Sequence, residues 1–586
     1  MPLATARASS GARDALPAAS AASAVSAEPA QDFDGADANG SNGHLRVQEQ
    51  VSRPRLGLPW LKMPRISEPW IRRLKLVAWP VGLAAAGVVL YLCYLALSRT
   101  EEVTSDGASI ALQAWDMLHG NPSLHGWTVT DVSFYTTELP EYMIVEWVRG
   151  LNADVLHASA AITYTLLVLT AGLLGRGRAK GREGMVRLFI ASGIVVAPQL
   201  GAGVFILVFQ PDHTGTSVPL LLTWLVLDRA PRSWYVPPII ALMLAWGATG
   251  DQLILLIGVA PLTAVSAVRA YQILVQRREG WRSGWFDVSL VVAAVAAAEI
   301  SRIVVREISA HGGYTVLPVP GGVAPITDMS SHLWLLVQSI CGLYGADLFG
   351  MTSIGLNAAI ALLHLVGLGL AAWGLWLAIR RFFSCEDRIA QILTVGILVN
   401  LAAYMLSITP TTYWSAREVA PVLPMGAVLA ARMLGARLMK ARLVPALCVA
   451  LACYLAALGY TVAQPSVPPI TQNLANWLAA NHLTYGLSSY GISNTTTLAS
   501  GETVDVRPVS WEGNYVAGGP HEFNKSWYDP TLHYANFVVL INPPVPIDPI
   551  ALREVQVSFG KPQYIYHFSR YTIMVFNKNL LTDLVP

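Results

Sequence analysis

Eleven apolar stretches run through this 586-residue chain and most constrain what it can fold into. Several reach the roughly 20 residues that a helix needs to cross the hydrocarbon core of a bilayer. Only 13% of the residues are charged, about half the share of a soluble protein. The sequence predicts a polytopic α-helical membrane protein, with spans at 76–97, 155–175, 188–209, 216–228, 235–248, 252–268, 286–306, 354–379, 389–408, 419–434 and 443–463.

The loops between these spans alternate in charge. Every second loop is rich in Arg, and seven basic residues between 53 and 75 precede the first span. Basic loops stay in the cytoplasm, so the pattern predicts a multi-pass cell-membrane protein with a cytoplasmic N-terminus. The acidic and aromatic loops then face outward, and these are 98–154, 210–216, 249–251, 307–353 and 409–418.

The two ends of the chain differ from the spans in composition. The region 1–75 opens with a stretch rich in Ala, Ser and Gly, which predicts a disordered cytoplasmic segment. After the multi-span domain 76–463, a helical pattern at 473–482 precedes strand patterns at 504–509, 537–541 and 571–576. Residues 464–586, called the C-terminal domain below, are therefore predicted to form a small extracytoplasmic α/β domain.

The first outer loop concentrates acids and aromatic residues. Apolar residues at helical spacing run from Ala108 to Leu118, and Gly120 ends the pattern. This predicts a short amphipathic helix on the membrane surface. Asp106 precedes the helix, so it is either the N-cap or a reactive carboxylate. Asp131 is the second candidate acid of this loop.

Other charged residues of the outward side are also site candidates. Glu138 and Glu141 are three residues apart and could hold hydroxyl groups or a divalent ion, unless they are simply solvated. Arg302 and Arg306 share one face near the end of the seventh span, where a charge usually has a function or a partner. They either bind a phosphate or reach the interface and pair with Glu299.

The remaining candidates lie in other outward loops or are aromatic. Arg417 either binds a phosphate or pairs with Glu418. Asp212 and the adjacent His213 are candidates for binding the acceptor or a metal, and His213 is either such a catalytic or metal residue or an ordinary loop histidine. Three aromatic residues of the first loop either stack on sugar rings or anchor the loop at the interface, and these are Trp115, Trp127 and Tyr135.

Several familiar site motifs are absent from the sequence. There is no P-loop, no GxGxxG before a helix, no CxxC pair and no HExxH. The basic loops alternate with spans, which indicates topology determinants rather than a surface for nucleic acid. Any chemistry is therefore expected at the outer face.

This architecture resembles the GT-C membrane glycosyltransferases, above all the dolichyl-phosphate-mannose-protein mannosyltransferase and aminoarabinose transferase type. Asp106 before a surface helix is similar to the first-loop acid of the family, although Gly107 stands where many members have a second acid. Asp212 lies where the third span meets the fourth, and Arg417 precedes a Pro-x-x-Pro segment, as in the family. The resemblance covers 80–464, and the two termini look like the actinobacterial branch.

The resemblance implies an enzyme that moves a sugar from a polyprenyl-phosphate donor to a cell-envelope glycan or protein. Such an enzyme needs a base for the acceptor's proton and cations for the leaving phosphate. Asp106 is then the base, Asp131 the second choice, and Arg302, Arg306 and Arg417 the phosphate ligands. No cofactor is certain, and a divalent cation stays open.

Two other classes of function stay open from the sequence. A transporter or lipid flippase predicts inverted repeats and polar residues at mid-span. A non-catalytic envelope-assembly or sensor protein fits the C-terminal domain as well as an enzyme does.

Overall fold

The computed structural model describes most of the chain from residue 68 onward. The described ranges are 68–209, 212–317, 321–349, 351, 355–512, 515–519, 521–542 and 552–584. Residues 1–67, which make up most of the region predicted to be disordered, lie outside these ranges. The residues from Ile71 onward form one compact unit.

Most of the described chain is helical, because lipid offers the backbone no hydrogen-bond partners and each apolar run must satisfy its own. In chain order the helices are α1 (Glu68–Ser98), α2 (Ser105–Leu118), α3 (Leu139–Arg149), α4 (Asp154–Arg176), α5 (Gly181–Val195), α6 (Ala202–Val204), α7 (Asp212–Arg229), α8 (Val236–Gly250), α9 (Ala260–Tyr271), α10 (Trp281–Ala310), α11 (Met329–Leu343), α12 (Leu356–Arg380), α13 (Arg388–Leu406), α14 (Val422–Lys440), α15 (Val444–Val462), α16 (Gln472–Ala480), α17 (Tyr490–Ser500) and α18 (Leu552–Phe559).

Each predicted span coincides with helical structure. Within the described ranges, eight stretches are long and apolar enough to cross a membrane: Ala78–Ser98, Asp154–Arg176, Leu255–Gln276, Trp281–Ala310, Leu356–Arg380, Arg388–Leu406, Val422–Lys440 and Val444–Val462. The other three predicted spans correspond to α5, α7 and α8, which are shorter or more polar. The span predicted at 188–209 is interrupted after α5, where Pro198 lacks an amide hydrogen and Gly201 has a φ of +81°.

The C-terminal domain has the predicted α/β class. Its strands are β3 (Tyr485–Ser489), β4 (Asp505–Glu512), β5 (Tyr515–Gly518), β6 (Phe523–Asn524), β7 (Phe537–Ile541), β8 (Tyr564–Phe568) and β9 (Tyr571–Val575). All but β6 form a mixed sheet of order β5-β4-β3-β7-β9-β8, in which β3 runs parallel to β4 and β7. Helices cover both faces, since α16 and α17 bury Leu474, Leu478 and Ile492 on one, and α18 buries Val555 and Phe559 on the other.

A second, three-stranded sheet joins the first loop to the C-terminal domain. Its strands are β1 (Trp127–Val129), β2 (Thr315–Val316) and β6, in the order β2-β1-β6. β1 runs antiparallel to β6, with Thr128 opposite Phe523. Asp131 follows β1 and Glu522 precedes β6, so the pairing brings acids of the two regions to the same place.

Helix α2 carries Asp106 in its first turn. Its N-cap is Thr104, whose hydroxyl oxygen accepts a hydrogen bond from the amide of Gly107 at 3.2 Å. The predicted capping role of Asp106 is therefore wrong, because Thr104 precedes it with the extended backbone that a cap needs. The helix is also mostly buried within the protein, where it packs against α3 and α17, rather than resting on the membrane surface.

Candidate active site

Residues from the first loop, from the loops between helices and from the C-terminal domain line one cavity of about 110 Å³. The lining residues are Asp106, Ile110, Thr130, Asp131, Val132, Phe134, His213, Arg417, Glu418, His521 and Glu522. Four of the residues predicted from the sequence are therefore brought together, namely Asp106, Asp131, His213 and Arg417.

The cavity holds more acidic than basic side chains. Asp106, Asp131, Glu418 and Glu522 supply four carboxylates. Arg417 is the one arginine among the lining residues, and its Nε lies 3.9 Å from a carboxylate oxygen of Glu418. These four carboxylates outnumber Arg417 and the protonated His213 described below, so such a cavity attracts cations and an anionic ligand would need further positive charge.

The hydroxyl group of Tyr490 lies between two of these carboxylates. It is 2.9 Å from Oδ1 of Asp106 and 2.5 Å from Oε2 of Glu522. Burial and the two nearby acids hold the pKa of Tyr490 well above its usual range. A phenol has one hydrogen, so Tyr490 can donate to only one of these two carboxylates at a time.

The residues around this tyrosine fit a divalent cation. Asp106, His521 and Glu522 each offer one ligand atom, and these atoms lie within 4.8 Å of one another. Burial lowers the pKa of His521, although Asp106 and Asp131 act in the opposite direction. The imidazole is therefore held neutral, which is the form that binds metal. Carboxylate oxygens with one imidazole nitrogen suit first-row cations such as Zn²⁺ or Mn²⁺.

A chain of hydrogen bonds runs from Asp251 through His213 to Glu418. Nδ1 of His213 is 2.6 Å from Asp251, and Nε2 is 3.3 Å from Glu418. Asp251 also accepts from the Thr216 hydroxyl at 2.5 Å and the Leu253 amide at 2.8 Å. Both ring nitrogens face carboxylates, so the imidazole carries both protons. Burial alone would raise the pKa of Asp251 and Glu418, but the imidazolium holds both below their usual values.

Two predicted acids lie outside the cavity lining. Glu138 stands at the start of α3 with 2% of its surface exposed. Glu141 accepts a hydrogen bond from Thr163 at 2.8 Å, and burial raises its pKa to about 8. Their roles toward an acceptor or a metal stay predictions. Asp212 begins α7, but its side chain is outside the described part.

The three predicted aromatic residues organise the first loop. Trp127 is 2% exposed and donates its indole N–H to Asp116 at 2.7 Å. Tyr135 donates its hydroxyl to the carbonyl oxygen of Pro122 at 2.8 Å. The ring of Trp115 contacts that of His119, the C-cap of α2, with centroids 4.1 Å apart and the ring planes tilted by 45°. None of the three lines the cavity, so their stacking on a sugar stays a prediction.

Arg302 and Arg306 line a different compartment. It is a groove of about 610 Å³ between the ends of α8 and α10, and it shares no lining residue with the cavity of Asp106. Arg302 is also 3.3 Å from Glu299, the alternative partner considered from the sequence. Of the three predicted phosphate ligands, Arg417 is thus the one in the cavity of Asp106.

Sequence reasoning missed the share of the C-terminal domain in this site. Tyr490, His521 and Glu522 belong to a region that looked like a separate domain. In the sequence, the adjacent His-Glu pair follows Gly-Gly-Pro, a composition that favours turns, and two potential metal ligands beside it were the available signal. Glu418 was considered only as a local partner of Arg417, and Asp251 stands in a short loop that gave no signal of a role in the site.

The fold can be compared with known proteins. No protein-family model matches the sequence, and the comparison with curated proteins gives no match. ArnT from Cupriavidus metallidurans, solved bound to undecaprenyl phosphate, is 12% identical with a TM-score of 0.50, covering 87% of this chain and 99% of that chain. The Archaeoglobus fulgidus oligosaccharyltransferase, solved with Zn and sulfate, is 13% identical with a TM-score of 0.45, covering 78% and 68%. The chain shares its fold with ArnT, which is the GT-C fold that the sequence predicted.

Proposed function

We propose that this protein transfers a sugar from a polyprenyl-phosphate donor to a cell-envelope acceptor at the outer face of the membrane. The observation that carries the proposal is the cavity in which Asp106, Asp131 and Arg417 converge at the end of the helical bundle. The shared fold adds support, since ArnT was solved with a polyprenyl phosphate bound. A cavity at one end of the bundle, rather than at mid-span, favours an enzyme over a transporter.

The proposed reaction needs one proton transfer and one leaving group. A hydroxyl oxygen of the acceptor attacks the anomeric carbon of the sugar, and the bond from that carbon to the phosphate oxygen breaks. A carboxylate of the cavity takes the hydroxyl proton, and polyprenyl phosphate leaves. Asp106 is the first candidate for this base, and Asp131 lines the same cavity as the second. Arg417 would contact the phosphate, where a guanidinium forms paired hydrogen bonds.

The proposal includes a divalent cation held by Asp106, His521 and Glu522. Such a cation would supply positive charge near the leaving phosphate, which the surplus of carboxylates in the cavity would otherwise repel. A carboxylate that binds a cation is a weaker base. With the cation bound, Asp131 would therefore take the acceptor's proton, and Asp106 would be essential as a ligand.

Removing the cation should separate these roles. We expect EDTA to lower sugar transfer at least about tenfold and added Mn²⁺ or Zn²⁺ to restore it. We expect His521→Ala to reduce the metal that copurifies with the protein, measured by elemental analysis, whereas His482→Ala, an exposed histidine of the same domain, should not. Full transfer after chelation would leave Asp106 as the base and remove the cation from the proposal.

The orientation of the chain in the membrane is also part of the proposal. Lys561 in the C-terminal domain and Arg182 at the start of α5 are both exposed. We expect a cysteine at position 561 to react with an impermeant maleimide in intact cells, and a cysteine at position 182 to react only after lysis, because basic loops remain inside. The unmodified chain, with its own free cysteines, gives the background. Labelling of position 182 from outside would mean that the chain has the opposite orientation in the membrane.

A further inference from the structure

The groove that holds Arg302 and Arg306 is lined by both charged and apolar side chains. The arginines lie one helical turn apart on α10, while Leu255 and Val305 are among its apolar residues. With about 610 Å³, the groove is larger than the cavity of Asp106. An anionic head group next to an apolar chain is the ligand that matches such a lining.

The length of α10 fits a position of the two arginines near the level of lipid phosphates, if the helix enters the hydrocarbon core at Trp281. α10 begins at Trp281, so Arg302 stands about 32 Å along the helix axis, close to the roughly 30 Å thickness of the hydrocarbon core. The side chain of Arg302 is 75% exposed even though it pairs with Glu299. Among the described residues, no hydrogen bond or ion pair joins Arg306 to the protein.

Tyr314 forms part of the inner wall of the groove. It is 1% exposed and lines the groove. Its hydroxyl lies beside that of Ser133, which donates to the carbonyl oxygen of Thr249 at 3.1 Å and can accept from Tyr314. The wall of the groove next to the small sheet is therefore a buried aromatic ring held by polar neighbours.

The three-stranded sheet β2-β1-β6 connects the groove to the cavity of Asp106. Val316 of β2 lines the groove, and its strand pairs with β1, with Val129 opposite Val316. Asp131, two residues after β1, lines the cavity. A head group held in the groove can therefore extend past the ends of these strands toward the acids.

We propose that the groove binds the phosphate and the start of the lipid chain of an anionic, lipid-linked acceptor, while the donor phosphate lies at Arg417. This inference rests on the proposed function, because an acceptor exists only if the protein transfers a sugar. Two guanidinium groups one turn apart match a phosphate, and Leu255 and Val305 cover the lipid chain.

Lipid binding tests the groove without any sugar transfer. The probes are fluorescent phosphatidylglycerol and phosphatidylcholine, titrated against the full-length protein in detergent micelles. We expect the wild type to bind phosphatidylglycerol about tenfold more tightly, and the double variant Arg302→Ala/Arg306→Ala to lose the preference. Arg282→Ala, an exposed arginine at the other end of α10, should keep it. Equal binding of both lipids by the wild type, or an unchanged preference in the double variant, would overturn the inference.

Kinetics then distinguish an acceptor from the donor. With an envelope lipid extract as acceptor, the double variant should show an acceptor KM about tenfold higher and an unchanged KM for the polyprenyl-phosphate sugar. A higher donor KM instead would assign the groove to the donor and overturn the inference. Asp106→Asn should lose transfer but still bind phosphatidylglycerol. Transfer by this variant therefore tests the proposed function, and the lipid preference of the double variant tests the groove separately.

Discussion

Asp106→Asn is expected to lower sugar transfer from a polyprenyl-phosphate donor by at least about a hundredfold, with folding unchanged. The substitution keeps the size of the side chain and an oxygen that can accept from Tyr490. Thr104, not Asp106, caps α2, so the start of the helix does not depend on the carboxylate. Sugar transfer should be lost in either case, whether Asp106 acts as the base or binds the cation. An amide is a poor base and a poor cation ligand. Transfer of a radiolabelled sugar to envelope membranes measures it.

Glu102→Gln is the matched control for this experiment. Glu102 is an exposed acid of the same loop, and it is not among the residues lining the cavity. The Glu102→Gln variant should transfer sugar at the rate of the wild type. Near-normal transfer by Asp106→Asn would contradict the proposed site, and Asp131→Asn would then be the next variant to examine.

Asp251→Ala is expected to cost about 3–5 kcal/mol of stability, the largest effect on folding that we predict. Asp251 is 1% exposed and lies 2.6 Å from the His213 ring, so its removal leaves a buried imidazolium with one partner fewer. Thr216 and the amide of Leu253 lose an acceptor as well. Denaturant unfolding of the purified protein in mixed micelles, followed by tryptophan fluorescence, measures the change.

A double-mutant cycle shows whether the cost comes from this pair. Asp251→Asn/His213→Gln removes both charges while keeping groups of similar size that can hydrogen-bond. It should be more stable than the sum of the two single substitutions predicts, by roughly 0.5–3 kcal/mol. Strictly additive single effects would mean that Asp251 and His213 are not coupled. The hydrogen-bonded chain from Asp251 through His213 to Glu418 would then not explain the stability of the site.

The sequence alone determined the class of the fold, and it pointed to the first loop as the region of the candidate site. Hydrophobicity is a local property, so runs of apolar residues predicted where helices form, and each predicted span coincides with helical structure. Strand patterns likewise predicted the α/β class of the C-terminal domain. Asp106 and Asp131 could be selected because they are acids in a loop next to the first span, and both line the cavity.

Only the tertiary structure decided which residues share the site. Tyr490 lies 384 residues after Asp106 along the chain, and the hydrogen bond between them follows from the docking of the C-terminal domain through β1 and β6. The same packing gives His213 two carboxylate partners from other loops and leaves Arg302 in a separate groove. Contacts between distant segments depend on how the helices and sheets pack together, whereas the periodicity of one segment reports only its own structure.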